Sequence, residues 1–336
     1  MNDVLEIAPS KAAPNDAAFR CCVCGPSSSE VFLTGVPDRL GIVPKSATLV
    51  RCTTCGLVAL FPLPTFEETA TYYPKTFWRT ESKPGADSSV AKRFETWYRE
   101  RLIEADFAFV AEFLRPGLRH LDVGCSTGDF IVHCQSHGTV SSGIELSESA
   151  ARHCREQRGL DVIVGDLTET DFGERKFDVI SYNAVLEHVP DPYAHLVKCK
   201  SLLAPGGRVL ILGLPNLDSV GFKLSGKYWM NLDAPRHIHQ FTRDSLTFML
   251  NKAGFTPTRV DFRSPRFNPA SLVASAVPAL HRHKFDAAEA RTGNNPILKK
   301  AALLALLQVA RPADWLFSHL GMGENMSCVA EVQPSR

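Results

Sequence analysis

The stretch 121–130, which reads Leu-Asp-Val-Gly-Cys-Ser-Thr-Gly-Asp-Phe, restricts the fold of this chain more than any other. An apolar strand ends here in a glycine-rich turn, and an acidic residue, Glu145, stands seventeen positions after Gly128. Glycines let the backbone turn sharply beside a ligand at the carboxyl end of a parallel strand, and a carboxylate at the end of the next strand can accept hydrogen bonds from a ribose diol. The stretch therefore predicts a parallel α/β sheet that holds a nucleoside cofactor.

The spacing of the glycines argues against a dinucleotide. A dinucleotide fingerprint has the form G-x-G-x-x-G, which brings backbone N–H groups around a pyrophosphate. Here Gly124 and Gly128 are separated by residues 125–127, and Asp122 stands just before the turn. Such a turn is a poor phosphate cradle.

The turn and the segments that follow it resemble, in the same order, the motifs of class I S-adenosylmethionine (SAM) methyltransferases. The segments that carry the resemblance are 121–130, 143–145, 164–167, 177–189 and 203–211. The resemblance implies a Rossmann-like seven-stranded sheet with helices on both faces, and SAM as the cofactor. Helix and strand patterns that alternate through residue 211 agree with a parallel sheet of this kind.

The resemblance also implies roles for individual residues. Glu145 would bind the ribose of SAM, and Asp166 would face the adenine amino group. The family usually has glycine where Ser126 stands, and serine still fits a tight turn. A Rossmann-like domain that kept its shape and lost its ligand is the alternative. The implied cofactor-binding residues are Asp122, Gly124, Cys125, Ser126, Gly128, Glu145, Leu146, Asp166, Leu167 and Asn183.

Two C-x-x-C pairs near the N-terminus predict a zinc-binding module. Cys21 and Cys24 form one pair, Cys52 and Cys55 form the other, and a glycine follows each pair. Four thiolates suit tetrahedral zinc and close its coordination sphere, so the metal is expected to be structural rather than catalytic. Cys22 would shorten the first spacer to one residue, and we expect it not to be a ligand. Unliganded thiols or a redox pair are the alternatives.

The cysteine module followed by the SAM domain resembles bacterial methyltransferases of sugar and glycan biosynthesis. This resemblance implies a methyltransferase, a transferase of carbohydrate biosynthesis, that acts on a sugar, a nucleotide sugar or a lipid-linked glycan. The alternatives are a methyltransferase of another small metabolite and a non-catalytic binding protein built on the SAM fold.

The patterns divide the 336 residues into a disordered tail (1–19), the zinc-binding module (20–80) and the SAM domain (81–336), with a helical insertion at about 265–322. Apolar residues that recur at three and four positions predict an amphipathic helix over 90–114. Further helices are expected at 130–136 and 241–252, and the last two strands at 256–262 and 327–332.

Charge and hydropathy limit the partners. With 37 basic and 36 acidic residues the net charge is +1. The chain thus lacks the excess of basic residues that is typical of proteins that bind nucleic acid. Neither a secretory signal nor an apolar run of roughly 18 residues is found, which predicts a cytoplasmic protein. The insertion holds two apolar stretches, 270–280 and 301–310, beside basic residues. They fit either a lid or dimer surface, or a peripheral contact with the inner membrane face; the oligomeric state stays open.

Residues 228–241 follow the strand predicted within 203–211 and carry two of the candidate catalytic histidines. A Trp…Pro-Arg-His…Phe segment in related methyltransferases supplies polar groups near the methyl. We expect His237 to be a general base, because imidazole titrates near neutral pH, or else to cap a loop or the next helix. His239 is a second candidate. His188 borders both ligands, and a structural role fits it equally well. Arg236 could bind an anionic acceptor such as a diphosphate, or form an ordinary ion pair.

Overall fold

A computed structural model of the protein describes residues 19–73, 97, 101, 104, 105, 107–276 and 296–334. Its N-terminal part is a small β-rich module. The elements of the module are β1 (Arg20–Cys21), β2 (Gly25–Pro26), β3 (Ser29–Val36), β4 (Ala47–Cys52), β5 (Val58–Phe61) and α1 (Phe66–Thr71). β1 and β2 form an antiparallel hairpin, and β3, β4 and β5 pair antiparallel in a second sheet.

The rest of the described chain is built on a seven-stranded sheet. The later strands are β6 (Arg119–Val123), β7 (Val140–Glu145), β8 (Val162–Val164), β9 (Phe177–Asn183), β10 (Leu203–Pro215), β11 (His239–Gln240), β12 (Phe255–Asp261) and β13 (Asn325–Val332). The order in the large sheet is β12-β13-β10-β9-β6-β7-β8. β6 to β10 run parallel, and β13 runs antiparallel to both of its neighbours. The predicted α/β class and seven-stranded sheet are confirmed.

The later helices are α2 (Asp129–Ser136), α3 (Glu148–Arg158), α4 (Pro192–Leu202), α5 (Val220–Ser225), α6 (Arg243–Ala253), α7 (Asn268–Ala276) and α8 (Pro296–His319). Short 3-10 turns lie at Ala111–Phe113, Gly226–Tyr228 and Met230–Leu232. α6 begins after Thr242, whose hydroxyl accepts a hydrogen bond from the N–H of Ser245, and it ends at Gly254 with φ 86°. The helices predicted at 130–136 and 241–252 are confirmed, with α6 starting two residues later because Thr242 is its cap.

The core of the large sheet is apolar on both faces, as helices on both sides require. In β9 and β10 the side chains of Val179, Ile180, Val209 and Leu210 are almost completely buried. The last two predicted strands are confirmed as β12 and β13, which begin one or two residues earlier than expected. Because β6 to β9 are parallel, their carboxyl ends lie along one edge of the sheet.

The N-terminal module is continuous with the rest of the protein. β11 pairs antiparallel with β5, so that His239 lies opposite Ala59, and the order of the module's sheet becomes β11-β5-β4-β3. The backbone N–H of Leu60 donates to the carbonyl of Ile238 over 2.9 Å. A segment that follows β10 thus completes a sheet that the sequence assigned to residues 20–80.

Several expectations concern residues outside the described ranges. The predicted tail, 1–19, lies outside them apart from Phe19, which is buried, and most of the amphipathic helix predicted over 90–114 lies outside them too. Within the expected insertion, α7 packs against α8. None of the helices in the described ranges has the length and apolar character needed to cross a membrane.

Candidate active site

A cavity of about 440 Å³ opens at the carboxyl ends of the parallel strands. Its walls include loops after β6, β7, β8 and β9, and the sheet order puts β8 and β9 on opposite sides of β6 and β7. Neighbouring strands lie about 4.8 Å apart, so the outer two strand ends are separated by about 14 Å along the edge. Most of the predicted cofactor residues line the cavity: Asp122, Gly124, Cys125, Ser126, Glu145, Leu146, Asp166, Leu167 and Asn183.

The turn after β6 uses backbone conformations that most residues avoid. Gly124 has φ 69°, and a Cβ there would lie 2.7 Å from Cγ2 of Val185. Ser126 has φ 49°, a left-handed conformation that costs a residue other than glycine about 1 kcal/mol. Gly128 does not line the cavity, in contrast to its predicted cofactor role. It precedes α2 with φ 78°, and a Cβ there would lie 2.4 Å from Cδ1 of Leu160, so close packing requires this glycine.

The carboxylate of Glu145 joins the two loops that border the middle of the cavity. Oε2 accepts a hydrogen bond from the N–H of Ser126 over 2.8 Å, and Oε1 accepts one from the N–H of Ser147 over 2.9 Å. Burial raises the pKa of Glu145, although these backbone donors partly oppose it. Each carboxylate oxygen can accept more than one hydrogen bond, so the geometry leaves capacity for ribose hydroxyls.

Asp122 ends a chain of buried polar side chains that crosses the sheet beneath the cavity. Its Oδ1 accepts a hydrogen bond from Oγ of Ser181 over 2.6 Å, and that Oγ lies 2.8 Å from Nε2 of His120. Nδ1 of His120 lies 3.1 Å from Oγ of Ser141. Burial raises the pKa of Asp122 to about 7 and lowers that of His120 to about 3. The chain ties β7, β6 and β9 together under the glycine-rich turn.

Asp166 lies after β8, at the far end of the cavity. Oδ1 accepts from the N–H of Thr168 over 2.8 Å, and Oδ2 lies 3.2 Å from Nε2 of His195. Burial acts to raise the pKa of Asp166, but the hydrogen bonds from His195 and Thr168 outweigh it and lower the pKa to about 2. His195, on α4, also lines the cavity. The sequence reasoning missed it, because nothing in the motifs marks a histidine in the fourth helix.

The cavity beyond β9 is lined by residues from distant parts of the chain. Tyr73 lies in the segment after α1, and its hydroxyl is hydrogen-bonded to Nδ1 of His188 over 2.8 Å. Arg266 and Phe267 line the same end, with the guanidinium carbon 4.6 Å from the ring centroid. Sequence reasoning did not find these three residues, although the aromatic Tyr-Tyr-Pro segment at 72–74 was a usable signal. They are brought to the cavity by tertiary packing.

The structure brings two of the three candidate catalytic histidines together and places the third elsewhere. His188 lines the cavity, and its ring centroid lies 4.6 Å from that of His237, which stands behind it. Burial lowers the pKa of His188 to about 3 and also lowers that of His237. His239 lies away from the cavity on β11, where its Nε2 is 3.9 Å from Sγ of Cys22. The expectation that His239 faces the acceptor is corrected, because pairing with β5 turns it towards the cysteine module.

Glu187 and Arg236 are buried near these histidines. Glu187 is 1% exposed, and burial raises its pKa to about 8. The Arg236 side chain is fully buried and forms ion pairs with Asp233 over 2.6 Å and with Asp38 over 2.8 Å. Arg236 does not line the cavity. Of the two alternatives for this residue, an anionic acceptor or an ion pair, the structure shows the ion pair, and the pair is buried. It instead fastens the loop after β10 to the N-terminal module.

The four predicted zinc ligands come together in the module. The sulfur atoms of Cys21, Cys24, Cys52 and Cys55 all lie within 4.8 Å of one another, and those of Cys21 and Cys55 are 3.6 Å apart. A tetrahedral zinc ion with bonds of about 2.3 Å would hold its sulfur ligands about 3.8 Å apart. The residues therefore fit such an ion.

The sequence of the middle of the chain matches a known family. Residues 94–260 match the model of a family described as "Methyltransferase domain". A ubiquinone biosynthesis O-methyltransferase from Dinoroseobacter shibae is 33% identical over 187 residues, which cover 52% of this chain and 74% of the relative. This chain belongs to the SAM-dependent methyltransferases. A protein of the same name from Cereibacter sphaeroides is 34% identical over 166 residues, 46% of this methyltransferase and 66% of the relative.

One solved structure aligns with most of this chain. A SAM-dependent methyltransferase from Archaeoglobus fulgidus aligns with a TM-score of 0.46 and 18% identity, over 72% of this chain and all of that one.

The expectation of a sugar or glycan acceptor is wrong. The relatives named above are methyltransferases of ubiquinone biosynthesis, which is small-molecule chemistry. The expectation rested on the N-terminal cysteine module, which lies outside the stretch that the family model matches. A shared accessory module does not identify the acceptor.

Proposed function

We propose that this protein transfers the methyl group of SAM to a hydroxyl oxygen of a small aromatic metabolite, of the kind found in quinone biosynthesis. The observation that carries the proposal is a single cavity that joins the cofactor motifs at one end to a partly apolar end with buried titratable groups at the other. The names of the relatives support oxygen as the methylated atom and a small ring compound as the acceptor.

The donor would lie along the strand ends. Glu145 would accept hydrogen bonds from the ribose, and Asp166 would accept one from the adenine amino group. The turn at 124–126 would pass beneath the amino-acid part of SAM, with Asp122 below it. Asn183 and the loop after it would border the sulfonium. These assignments follow the order β8-β7-β6-β9 along the sheet edge.

The acceptor would enter between the loop after β9 and the residues contributed by α1 and the insertion. Phe267 and Val189 offer apolar surface to a ring, and Tyr73 offers a hydroxyl. The acceptor oxygen forms its bond to the methyl carbon as the carbon–sulfur bond breaks, and the electron pair of that bond stays on sulfur, giving S-adenosylhomocysteine. The enzyme aligns the two partners and excludes water.

The acceptor hydroxyl must lose its proton before or during the transfer. We assign this task to the group formed by Glu187, His188 and His237, whose donor atoms lie within 4.8 Å of one another. His188 is the member that reaches the cavity. His237, the first candidate for the general base, belongs to this group and stands behind His188.

The test is methyl transfer to a panel of catechols and phenols with apolar substituents, followed by detection of S-adenosylhomocysteine. The wild type should methylate at least one catechol, and His188→Gln should keep its SAM affinity and lose roughly 10²-fold or more in turnover. A protein that binds SAM and methylates none of the panel, under conditions where a known O-methyltransferase does, would contradict the proposal.

We also propose that the four cysteines of the module hold a structural zinc ion. Support comes from the sulfur separations and from the burial of three of the four cysteines. With four protein ligands the ion has no open position for a substrate. It would join the turn after β1 to the turn after β4. Metal analysis should find zinc that the variant Cys52→Ser lacks, and equal zinc in both proteins would contradict this assignment.

A further inference from the structure

His195 and Asp166 form a pair at the far end of the cavity. Both line it, and His195, on α4, is almost completely buried. Nε2 of His195 lies 3.2 Å from Oδ2 of Asp166. Burial acts against ionisation of Asp166, but hydrogen bonds from His195 and Thr168 lower its pKa to about 2. Asp166 is therefore a carboxylate near neutral pH and can only accept, so Nε2 of His195 carries a proton and donates the hydrogen bond.

The imidazole of His195 is fixed by α4 and by β9. α4 begins after Asp191, whose carboxylate accepts a hydrogen bond from the N–H of Ala194 over 2.9 Å. The backbone N–H of His195 donates to the carbonyl of Asp191 over 3.2 Å. The other ring nitrogen, Nδ1, lies 3.5 Å from the hydroxyl of Tyr182, a completely buried residue of β9, and that hydroxyl lies 3.1 Å from Sγ of Cys199. The protein alone thus sets the orientation of the ring.

The hydrogen bonds of Asp166 leave one acceptor position for a ligand. The two carboxylate oxygens offer about four such positions. Oδ1 accepts from the N–H of Thr168 over 2.8 Å and also from its hydroxyl, and Oδ2 accepts from His195. Among the residues that the structure describes, no donor takes the fourth position. The loop itself is fixed, because the carbonyl of Asp166 accepts from the N–H of Thr170 over 3.0 Å and from its hydroxyl over 2.6 Å.

We propose that His195 is a positioning residue that makes the donor site select a 6-aminopurine nucleoside over a 6-oxopurine nucleoside. The proposal rests on the proposed function, which puts the adenine amino group beside Asp166. An amino group at C6 of the purine donates to the remaining acceptor position. A 6-oxo group only accepts, and the donor of such a base is the neighbouring N1–H, so the carboxylate would have to move to reach it. His195 prevents this movement by holding Oδ2.

The test compares two ligands that differ only in the purine base, S-adenosylhomocysteine and S-inosylhomocysteine, by calorimetry on the full-length protein. The wild type should bind the first at least about 100-fold more tightly, since a site that hydrogen-bonds one group rejects an analogue that lacks it. His195→Asn places its amide nitrogen near the position of Nδ1 and loses the bond to Asp166. Its preference should fall to about 10-fold or less. His195→Gln extends its amide nitrogen about as far as Nε2 and should keep most of the preference.

These two variants separate positioning from packing. If His195 served only to pack α4, both variants would weaken the two ligands alike and leave the preference unchanged, and that result would overturn the proposal. His153→Asn, on α3 and outside the lining of the cavity, is the matched control and should keep the preference of the wild type. Should His195→Asn not fold, His195→Phe takes its place, because it keeps a ring and has no donor.

The outcome does not depend on the acceptor. A wild type that binds neither ligand would overturn the proposed function together with this inference. A wild type that binds both ligands equally well would overturn the inference alone. A protein that methylates no catechol still gives the preference, so failure of the proposed acceptor is distinguished from failure of the role of His195.

Discussion

The substitution Glu145→Gln tests the donor site most sharply. It keeps the size of the side chain but replaces one carboxylate oxygen with an amide group that only donates. Glu145 now accepts from the N–H groups of Ser126 and Ser147, so in either orientation the amide meets a backbone donor. One of those N–H groups, or one ribose hydroxyl, would then have no acceptor.

The expected loss follows from the number of contacts. Leaving one buried polar group unsatisfied costs about 1 to 3 kcal/mol. Since 1.4 kcal/mol corresponds to about a tenfold change in affinity, SAM and S-adenosylhomocysteine should bind about 5- to 140-fold more weakly to Glu145→Gln. Isothermal titration calorimetry with S-adenosylhomocysteine measures this change without interference from turnover.

Glu148→Gln is the matched control for this experiment. Glu148 lies three residues further on, at the exposed start of α3, and pairs with Arg155 over 3.2 Å. Exposed ion pairs contribute about 1 kcal/mol or less, so this change should leave cofactor affinity unaltered. If Glu145→Gln folds and binds S-adenosylhomocysteine within about twofold of the wild type, the assignment of Glu145 to the ribose is refuted.

Three further predictions follow from the contacts described. Cys52→Ser should lose zinc and also raise the KM for the acceptor, because the module supplies Tyr73 to the acceptor end of the cavity; metal analysis and methylation kinetics on the same sample measure both, and an unchanged acceptor KM without zinc would contradict the coupling. Asp166→Asn should lower the free energy of unfolding at pH 7 by about 1 to 2 kcal/mol. The lowered pKa of Asp166 stabilises the fold above the unfolded pKa of 3.8, and this contribution disappears as the pH falls towards about 2; urea unfolding at pH 7 and pH 3 should show a smaller difference at pH 3, and a difference that grows would refute the sign. His239→Gln should lower the melting temperature and leave turnover per folded molecule within about threefold of the wild type, since a residue away from the cavity takes no proton; a loss of the size expected for a general base, about 10²-fold, would show otherwise.

Sequence reasoning worked where the relevant residues are close together in the chain. The turn at 121–130 and the acids after β7 and β8 are local features of strand ends, and parallel strands bring their ends to one edge. Their side chains accordingly line one cavity. The cysteine cluster also followed from spacing, because each pair is held by its own turn. Such patterns need no knowledge of how distant elements pack.

It failed where the site depends on contacts between distant segments. The sequence left Arg236 open between an anionic acceptor and an ion pair, because its partner Asp38 lies 198 positions away in the sequence. The sequence predicted His239 over the cavity, because no local pattern shows that residues 239–240 form a strand of the module's sheet. The acceptor class was wrong for a different reason. The expectation relied on the presence of the module, whereas the relatives matched by the methyltransferase part of the chain are named for ubiquinone biosynthesis.

The central claim, methyl transfer from SAM to oxygen, is tested most directly by a single-turnover reaction. Enzyme in excess is mixed with SAM labelled in its methyl group and with the best catechol of the panel, and the product is identified by mass spectrometry and NMR. We predict one labelled methyl ether and one S-adenosylhomocysteine for each SAM consumed. SAM that binds but keeps its label, or a label found on carbon or nitrogen of the acceptor, would contradict the account.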